Sequence, residues 1–252
     1  MKVMKFGGTS VGSAIRMKGV VELVNDGETK IVVLSAMSGT TNALIEFTNY
    51  LRNGNTIGAI EHITNLQNKY RLTIKDLYSN EKYAAMASEK VGEIFNHLRT
   101  LATQPLTSDN EREIIAQGEM MSTNMVAIYM AEQGINSALL NSLDFMRLKA
   151  NEEPDMEYLA ANLSPLIESR TDGKIYIAQG FICMNSDNRI SNLQRGGSDY
   201  TATLIGAALQ AEEIQIWTDI DGMHNNDPRI VEGTRPVRHL QFEESAELAY
   251  FG

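Results

Sequence analysis

Short apolar runs punctuated by glycine and asparagine open the chain, and long stretches with apolar residues at helical spacing fill its middle. Residues 2–6 read as a strand ending in Gly7-Gly8, followed by a helix over about 13–25. The β-branched run at 30–36 predicts a buried strand. From about 42 to 133 the pattern is almost wholly helical, with breaks near Gly54-Asn55, Ser79-Asn80 and Gln104-Pro105. Ser108 or Asp109 is the expected cap of the last of these helices, with Glu111 and Arg112 in its first turn. Strands return at 135–140, 174–180 and 213–218, with a helix at about 155–169. Asn185-Ser186-Asp187-Asn188 has the composition of a hairpin turn between 180–184 and 189–193.

Strands alternating with helices predict an α/β fold, a three-layer αβα sandwich on a mostly parallel sheet. Residues 1–170 are expected to form one lobe and 171–252 the other, sharing one continuous sheet because no Pro/Gly-rich linker separates them. The helical pattern at 243–250 runs to Phe251-Gly252 without a tail, as in a chain cut short.

Composition narrows the function. The 252 residues are 43% hydrophobic and 21% charged, an ordinary globular balance. The formal charge of −10 argues against nucleic acid, whose phosphates need a basic face. An acidic protein that binds anions must concentrate its cations and backbone N–H groups locally. A single cysteine, Cys183 in an apolar strand, excludes an internal disulfide and a multi-cysteine zinc site, and reads as a buried hydrophobe in a cytoplasmic protein. The four histidines have no metal-ligand spacing, so no protein-held metal is expected. The methionines at 120, 121, 125 and 130 read as core filler. Lys5 and two glycines interrupt the N-terminal apolar run, which excludes a signal peptide, and no run of about 18 apolar residues predicts a membrane span.

Three motifs carry candidate chemistry. In Lys5-Phe6-Gly7-Gly8-Thr9-Ser10, a lysine on a short apolar strand must send its ammonium to water or to a bound anion. The glycine pair lets a ligand approach the backbone, and the following helix offers free N–H groups. An ordinary strand–turn–helix with an edge lysine explains the segment equally well. It is neither a Walker loop nor a dinucleotide fingerprint. In Arg195-Gly196-Gly197-Ser198-Asp199-Tyr200-Thr201-Ala202, Ser198 or Asp199 could cap the helix. The alternative gives Arg195 a bidentate grip on a carboxylate or phosphate and Asp199 an orienting role. Trp217-Thr218-Asp219-Ile220-Asp221-Gly222, continuing to Asn226-Asp227-Pro228-Arg229, stands at a strand's carboxyl end, where α/β sheets bind ligands; read alone it is a polar turn. The hydroxyls of Ser35, Ser38, Thr40 and Thr41 also follow a buried strand, where loop capping explains them equally well. Glu119 lies among apolar helical residues, where a solvated face or a local ion pair is the common outcome.

Taken in order, Lys-Phe-Gly-Gly-Thr-Ser, Leu-Ser-Ala-Met-Ser-Gly-x-Thr-Asn, Gly-Glu-x-Met-Ser, Arg-Gly-Gly-Ser-Asp-Tyr-Thr-Ala and Trp-Thr-Asp…Asp-Pro-Arg resemble the aspartate kinases. These belong to the wider amino-acid-kinase family of carbamate-kinase-like fold, and the resemblance runs from residue 2 to 252. It implies transfer of the ATP γ-phosphoryl to the side-chain carboxylate of L-aspartate, the first step towards lysine, threonine and methionine. Lys5 would contact the transferring phosphoryl group, with Gly7, Gly8 and Ser10 in the phosphate loop. Ser35, Thr41, Glu119 and Arg195 would hold aspartate, Glu119 taking the ammonium and Arg195 the α-carboxylate. Asp199 would orient Lys5 and the phosphates, while Thr218, Asp219, His224 and Arg229 would line the nucleotide site. Mg²⁺ would be held mainly by ATP and water. The resemblance allows a homodimer.

His224 stands where many family members have Tyr, so the adenine or ribose contact is expected to differ. Family members continue past the segment matching Phe251-Gly252 into regulatory ACT domains. The expectation is therefore a truncated chain without feedback regulation and with weak ATP affinity or little activity. Rival readings are a family member acting on an acylated glutamate, glutamate, UMP or carbamate, and a sensor that binds without turnover. Arg195 with Glu119 favours a zwitterion carrying a free ammonium.

Overall fold

The computed structural model describes residues 1–169, 174–194, 196–227 and 230–251. Five strands form one parallel sheet: β1 (Lys2–Phe6), β2 (Lys30–Leu34), β3 (Ser137–Leu139), β4 (Ile175–Gln179) and β7 (Glu213–Trp217), in the order β3-β4-β2-β1-β7. The sheet thus draws strands from both halves of the chain. The run expected at 30–36 leaves the sheet after Leu34, where the Ser35 N–H donates to the Phe6 carbonyl.

β2 and β4 are buried at every position because helices cover both faces of the sheet. Alternation sends Met4, Phe6, Val32, Leu34, Ile175 and Ile177 into one core and Val3, Ile31, Val33, Tyr176 and Ala178 into the other. The first core is shared with α1 (Ala14–Val24), α2 (Thr40–Arg52), α3 (Thr56–Leu77), α4 (Glu81–Leu101) and α5 (Ser108–Glu132); the second with α6 (Met156–Glu168) and α7 (Gly197–Ala208). The result is the αβα sandwich.

The predicted helix breaks fall where the chain turns. Gly54 adopts φ +70° after α2, Asn55 caps α3 and Asn80 caps α4. The cap of α5 is Thr107 rather than Ser108 or Asp109. Thr107 is extended and its hydroxyl accepts from the Asn110 N–H, which leaves both predicted caps inside the first turn. The hairpin forms as expected from β5 (Ile182–Met184) and β6 (Ile190–Asn192), its turn held by the Asn185 side chain accepting from the N–H groups of Asp187 and Arg189. Helix α7 is capped by Gly196 at φ +80° instead of by Ser198 or Asp199, which frees both side chains for other partners.

The chain resolves into two compact units, Met1–Trp217 and Thr218–Gly252. The second contains α8 (Phe242–Phe251). Among the described residues no helix is long and apolar enough to cross a membrane.

Candidate active site

Phe6, Leu34 and Gln179 are in register, so β1, β2 and β4 end together and their following loops share one rim. A cavity of about 480 Å³ opens there, lined by residues from both glycine motifs, from the loop after β2 and from α5. It gathers Lys5, Gly8, Ser35, Thr41, Glu119 and Asp199. Gly7 lies beside it, since a Cβ on Gly7 would stand 3.6 Å from the Lys5 Nζ. Ser10 is not among the lining residues; its N–H closes the turn on the Gly7 carbonyl.

Lys5 is only 9% exposed, and its Nζ lies 2.6 Å from the Asp199 Oδ1. Among the described residues that oxygen makes no aligned hydrogen bond, so the contact is an ion pair held by charge. The loop 35–39 sits against this pair. The Ser38 N–H donates to the Gly8 carbonyl, and a Cβ on Gly8 would come within 2.9 Å of the Ala36 carbonyl oxygen, so only glycine admits this approach. Gly39, at φ +79°, caps α2 and, with Thr41 and Asn42 of its first turn, lines the cavity, so the N-terminal end of that helix borders it.

Glu119 departs from expectation. It lies neither on a solvated face nor in an ion pair, and is 3% exposed. Gly118 lets α5 press onto Ala36, and a Cβ there would lie 2.8 Å from the Ala36 Cβ. Glu119 Oε1 accepts from the Ala36 N–H at 3.1 Å, while Oε2 is buried with no partner among the described residues. Loss of water pushes the carboxyl up to about 8, only partly countered by the Ala36 bond. The backbone around it is fastened by hydroxyls. Thr123 donates to the Glu119 carbonyl at 2.7 Å, and Ser122 donates to the Ser35 carbonyl at 2.8 Å.

The cavity therefore offers a cation at one wall, an unsatisfied carboxyl at another and helix N-terminal dipoles between them. That set suits a small molecule carrying both an ammonium and anionic groups.

The sequence pattern of the Amino acid kinase family matches residues 1–252. The chain belongs to the amino acid kinase family. Lysine-sensitive aspartokinase 3 of Escherichia coli (strain K12) is 32% identical over 260 residues, which cover 99% of this chain and 56% of that protein. The solved structure of E. coli aspartokinase III in complex with lysine and aspartate superposes with a TM-score of 0.85 at 31% identity, over 100% of this chain and 57% of that one. The structure of E. coli aspartokinase III with aspartate and ADP gives 0.82 at 30%, over 100% and 56%. This amino acid kinase chain thus spans about half the length of the relatives it matches.

Two site residues expected from the sequence, Arg195 and Arg229, lie outside the described residues. Thr218, Asp219 and His224 belong to the second compact unit of this amino acid kinase. There Thr218 and Asp219 are exposed, with their side chains 3.3 Å apart. His224 is held from both ring nitrogens, Nε2 at 2.7 Å from the Asp221 Oδ1 and Nδ1 at 2.9 Å from the Thr234 hydroxyl. The hydrogen bond from His224 keeps the Asp221 carboxyl below the usual range.

Phe181 lines the cavity and was missed in the sequence. It adopts φ +69°, in the left-handed region, with its N–H donating to the Thr201 hydroxyl. Its position at the carboxyl end of β4, directly after Gly180, was the available signal.

Proposed function

We propose that this chain is the catalytic domain of an aspartate kinase, moving the γ-phosphoryl of ATP to the side-chain carboxylate of L-aspartate to give 4-phospho-L-aspartate. The observation that carries the reading is Glu119 Oε2, a buried carboxyl oxygen without a partner among the described residues, in the same cavity as the Lys5–Asp199 pair. An ammonium on the acceptor satisfies that oxygen, which favours a free amino acid over acceptors with a blocked or absent amine. Aspartokinases similar along nearly the whole chain, one of them solved with aspartate and ADP, support the same substrates.

In this reading Glu119 takes the ammonium, Ser35 and Thr41 hold the amino acid by their hydroxyls, and Arg195 takes the α-carboxylate. The nucleophile is a carboxylate already ionised at pH 7, so no general base is needed. Lys5 neutralises charge on the transferring group, Gly7 and Gly8 leave room for the phosphates, and Ser10 steadies their turn. Asp199 orients Lys5. Mg²⁺, when bound with the nucleotide, supplies further neutralisation on the phosphate oxygens, and the half-exposed Asp199 is the cavity carboxylate suited to meet its water shell. Thr218, Asp219, His224 and Arg229 would contact the nucleotide, with residues 1–170 serving the amino acid and 171–252 the nucleotide. A cytoplasmic enzyme serving lysine, threonine and methionine synthesis, possessing a homodimeric state, completes the proposal.

The test incubates the protein with Mg-ATP and L-aspartate and traps acyl phosphate with hydroxylamine. Hydroxamate that requires aspartate and vanishes in Lys5→Ala is expected. Absence of both hydroxamate and calorimetric aspartate binding would sink the assignment, and hydroxamate with another carboxylate alone would redirect it.

A further inference from the structure

A second cavity, of about 360 Å³, shares the first turn of α7 with the first. Gly196, Gly197, Ser198 and Asp199 line the catalytic cavity, whereas Leu193, Gln194 and Tyr200 line the second. Tyr200, in the same Arg-Gly-Gly motif, takes no part in the proposed phosphoryl transfer. It is 45% exposed, a large ring presented to a cavity at the low end of the size range of ligand sites.

The walls of this cavity carry opposite charges on separate elements. Arg112 projects from α5, with one guanidinium nitrogen 3.3 Å from the buried Ser191 hydroxyl and another 3.4 Å from Glu152 Oε1. Both bonds are long, and among the described residues they engage two of the five N–H donors of the guanidinium. Its pairing with the exposed Glu152 is worth little and yields readily to a better-placed anion. The Asn192 amide donates to the Arg112 carbonyl at 3.1 Å, which fixes β6 against α5 and sets the guanidinium's base. Facing it, the turn 149–153 is closed by the Lys149 N–H on the Glu153 carbonyl at 2.8 Å and the Glu152 N–H on the Lys149 carbonyl at 2.9 Å, and it carries Glu152 and Glu153 as cavity wall.

This arrangement selects by charge. A bare anion on Arg112 meets two carboxylates, and a bare cation between the carboxylates meets Arg112. A molecule with a carboxylate at one end and an ammonium at the other satisfies both. We propose that the second cavity binds a small zwitterion of the α-amino acid class, its carboxylate on Arg112 and its ammonium at Glu152 and Glu153. Such a ligand lies against Tyr200, the residue following Asp199 in the first turn of α7, so its binding bears on the helix turn that meets Lys5. The site does not rest on the phosphoryl-transfer reading, since Arg112 takes no part in the first cavity.

The test titrates each proteinogenic L-amino acid other than aspartate into the protein by calorimetry, repeated on Arg112→Gln and Glu119→Gln. Saturable binding that weakens at least about tenfold in Arg112→Gln and persists in Glu119→Gln is expected. Should Arg112→Gln lower the unfolding midpoint, Glu153→Gln on the turn replaces it, with a several-fold weakening expected. No saturable binding up to about 10 mM would overturn the proposal. So would binding lost in Glu119→Gln but kept in the Arg112 and Glu153 variants, which would place the zwitterion in the first cavity.

Discussion

The Ala36 N–H donates to Glu119 Oε1 at 3.1 Å and ties the loop after β2 to the middle of α5, while the other carboxyl oxygen meets no donor among the described residues. Burial holds this carboxyl neutral up to about pH 8, far above its unfolded value near 4.5. Between those values the folded state binds the extra proton, so stability falls as pH rises through the window. The penalty at pH 7 is on the order of 3 kcal/mol. Glu119→Gln removes the titration, and its unfolding free energy should be flatter with pH and should exceed that of wild type near pH 8. Equal pH slopes in denaturant titrations of the two proteins would contradict this.

Aspartate binding should release a proton. A substrate ammonium beside Oε2 favours the carboxylate, so a group that is neutral at pH 7 in the free protein ionises in the complex. Affinity should therefore rise with pH and level off above about 8. Calorimetry at pH 7 in buffers of different ionisation enthalpy should count close to one proton released, and Glu119→Gln should abolish the buffer dependence.

Much of the frame was legible before the structure. Glycine and asparagine marked the helix breaks because they supply the left-handed turns and caps that end α2 and begin α3 and α4. Gly7-Gly8 and Gly196-Gly197 were readable because close backbone approach demands glycine. The burial of Glu119 was not legible, since its local pattern is that of any polar residue on a long helix. What buries it is Ala36, brought against Gly118 from a distant stretch of chain. The insertion of β4 between β2 and β3 was equally hidden, because strand order is decided by crossovers rather than by periodicity.

Lys5→Met should lower kcat by about 10³-fold with a smaller change in KM, the pattern of a charge that matters most in the transition state. Asp199→Asn leaves the ammonium in place but loosens it, and a drop of about tenfold is expected. Steady-state hydroxamate assays on both variants check the order. A larger loss in Asp199→Asn than in Lys5→Met would refute an orienting role for the aspartate.

Ser122→Ala removes the O–H donor of the Ser35 carbonyl and should cost about 1–2 kcal/mol of stability. Because that bond also sets Ser35 against the cavity, KM for aspartate should rise several-fold while KM for ATP stays near wild type. Denaturant unfolding and steady-state kinetics on the same preparation separate the two effects.

Gly118→Ala introduces a methyl 2.8 Å from the Ala36 Cβ, so α5 must back away from the loop. A loss of about 1–3 kcal/mol is expected, together with weaker aspartate binding than in Ser122→Ala. An unchanged unfolding midpoint would mean that helix and loop are not packed as tightly as these distances imply.

β1 lies between β2 and β7, pairing Lys2 with Lys30 on one side and with Glu213 on the other. The first partner follows at once in the chain, whereas the second comes near its far end. Parallel strands cannot be joined by a tight turn, so the β1 edge stays open during synthesis until Trp217 arrives to stack on Phe6 at 5.8 Å. Asp199 arrives on the helix just before β7. The cation and its partner therefore meet late, in the same long-range closure that completes the sheet. The Lys5–Asp199 pair should form with this closure, and the chain's single tryptophan sits where its fluorescence reports that step.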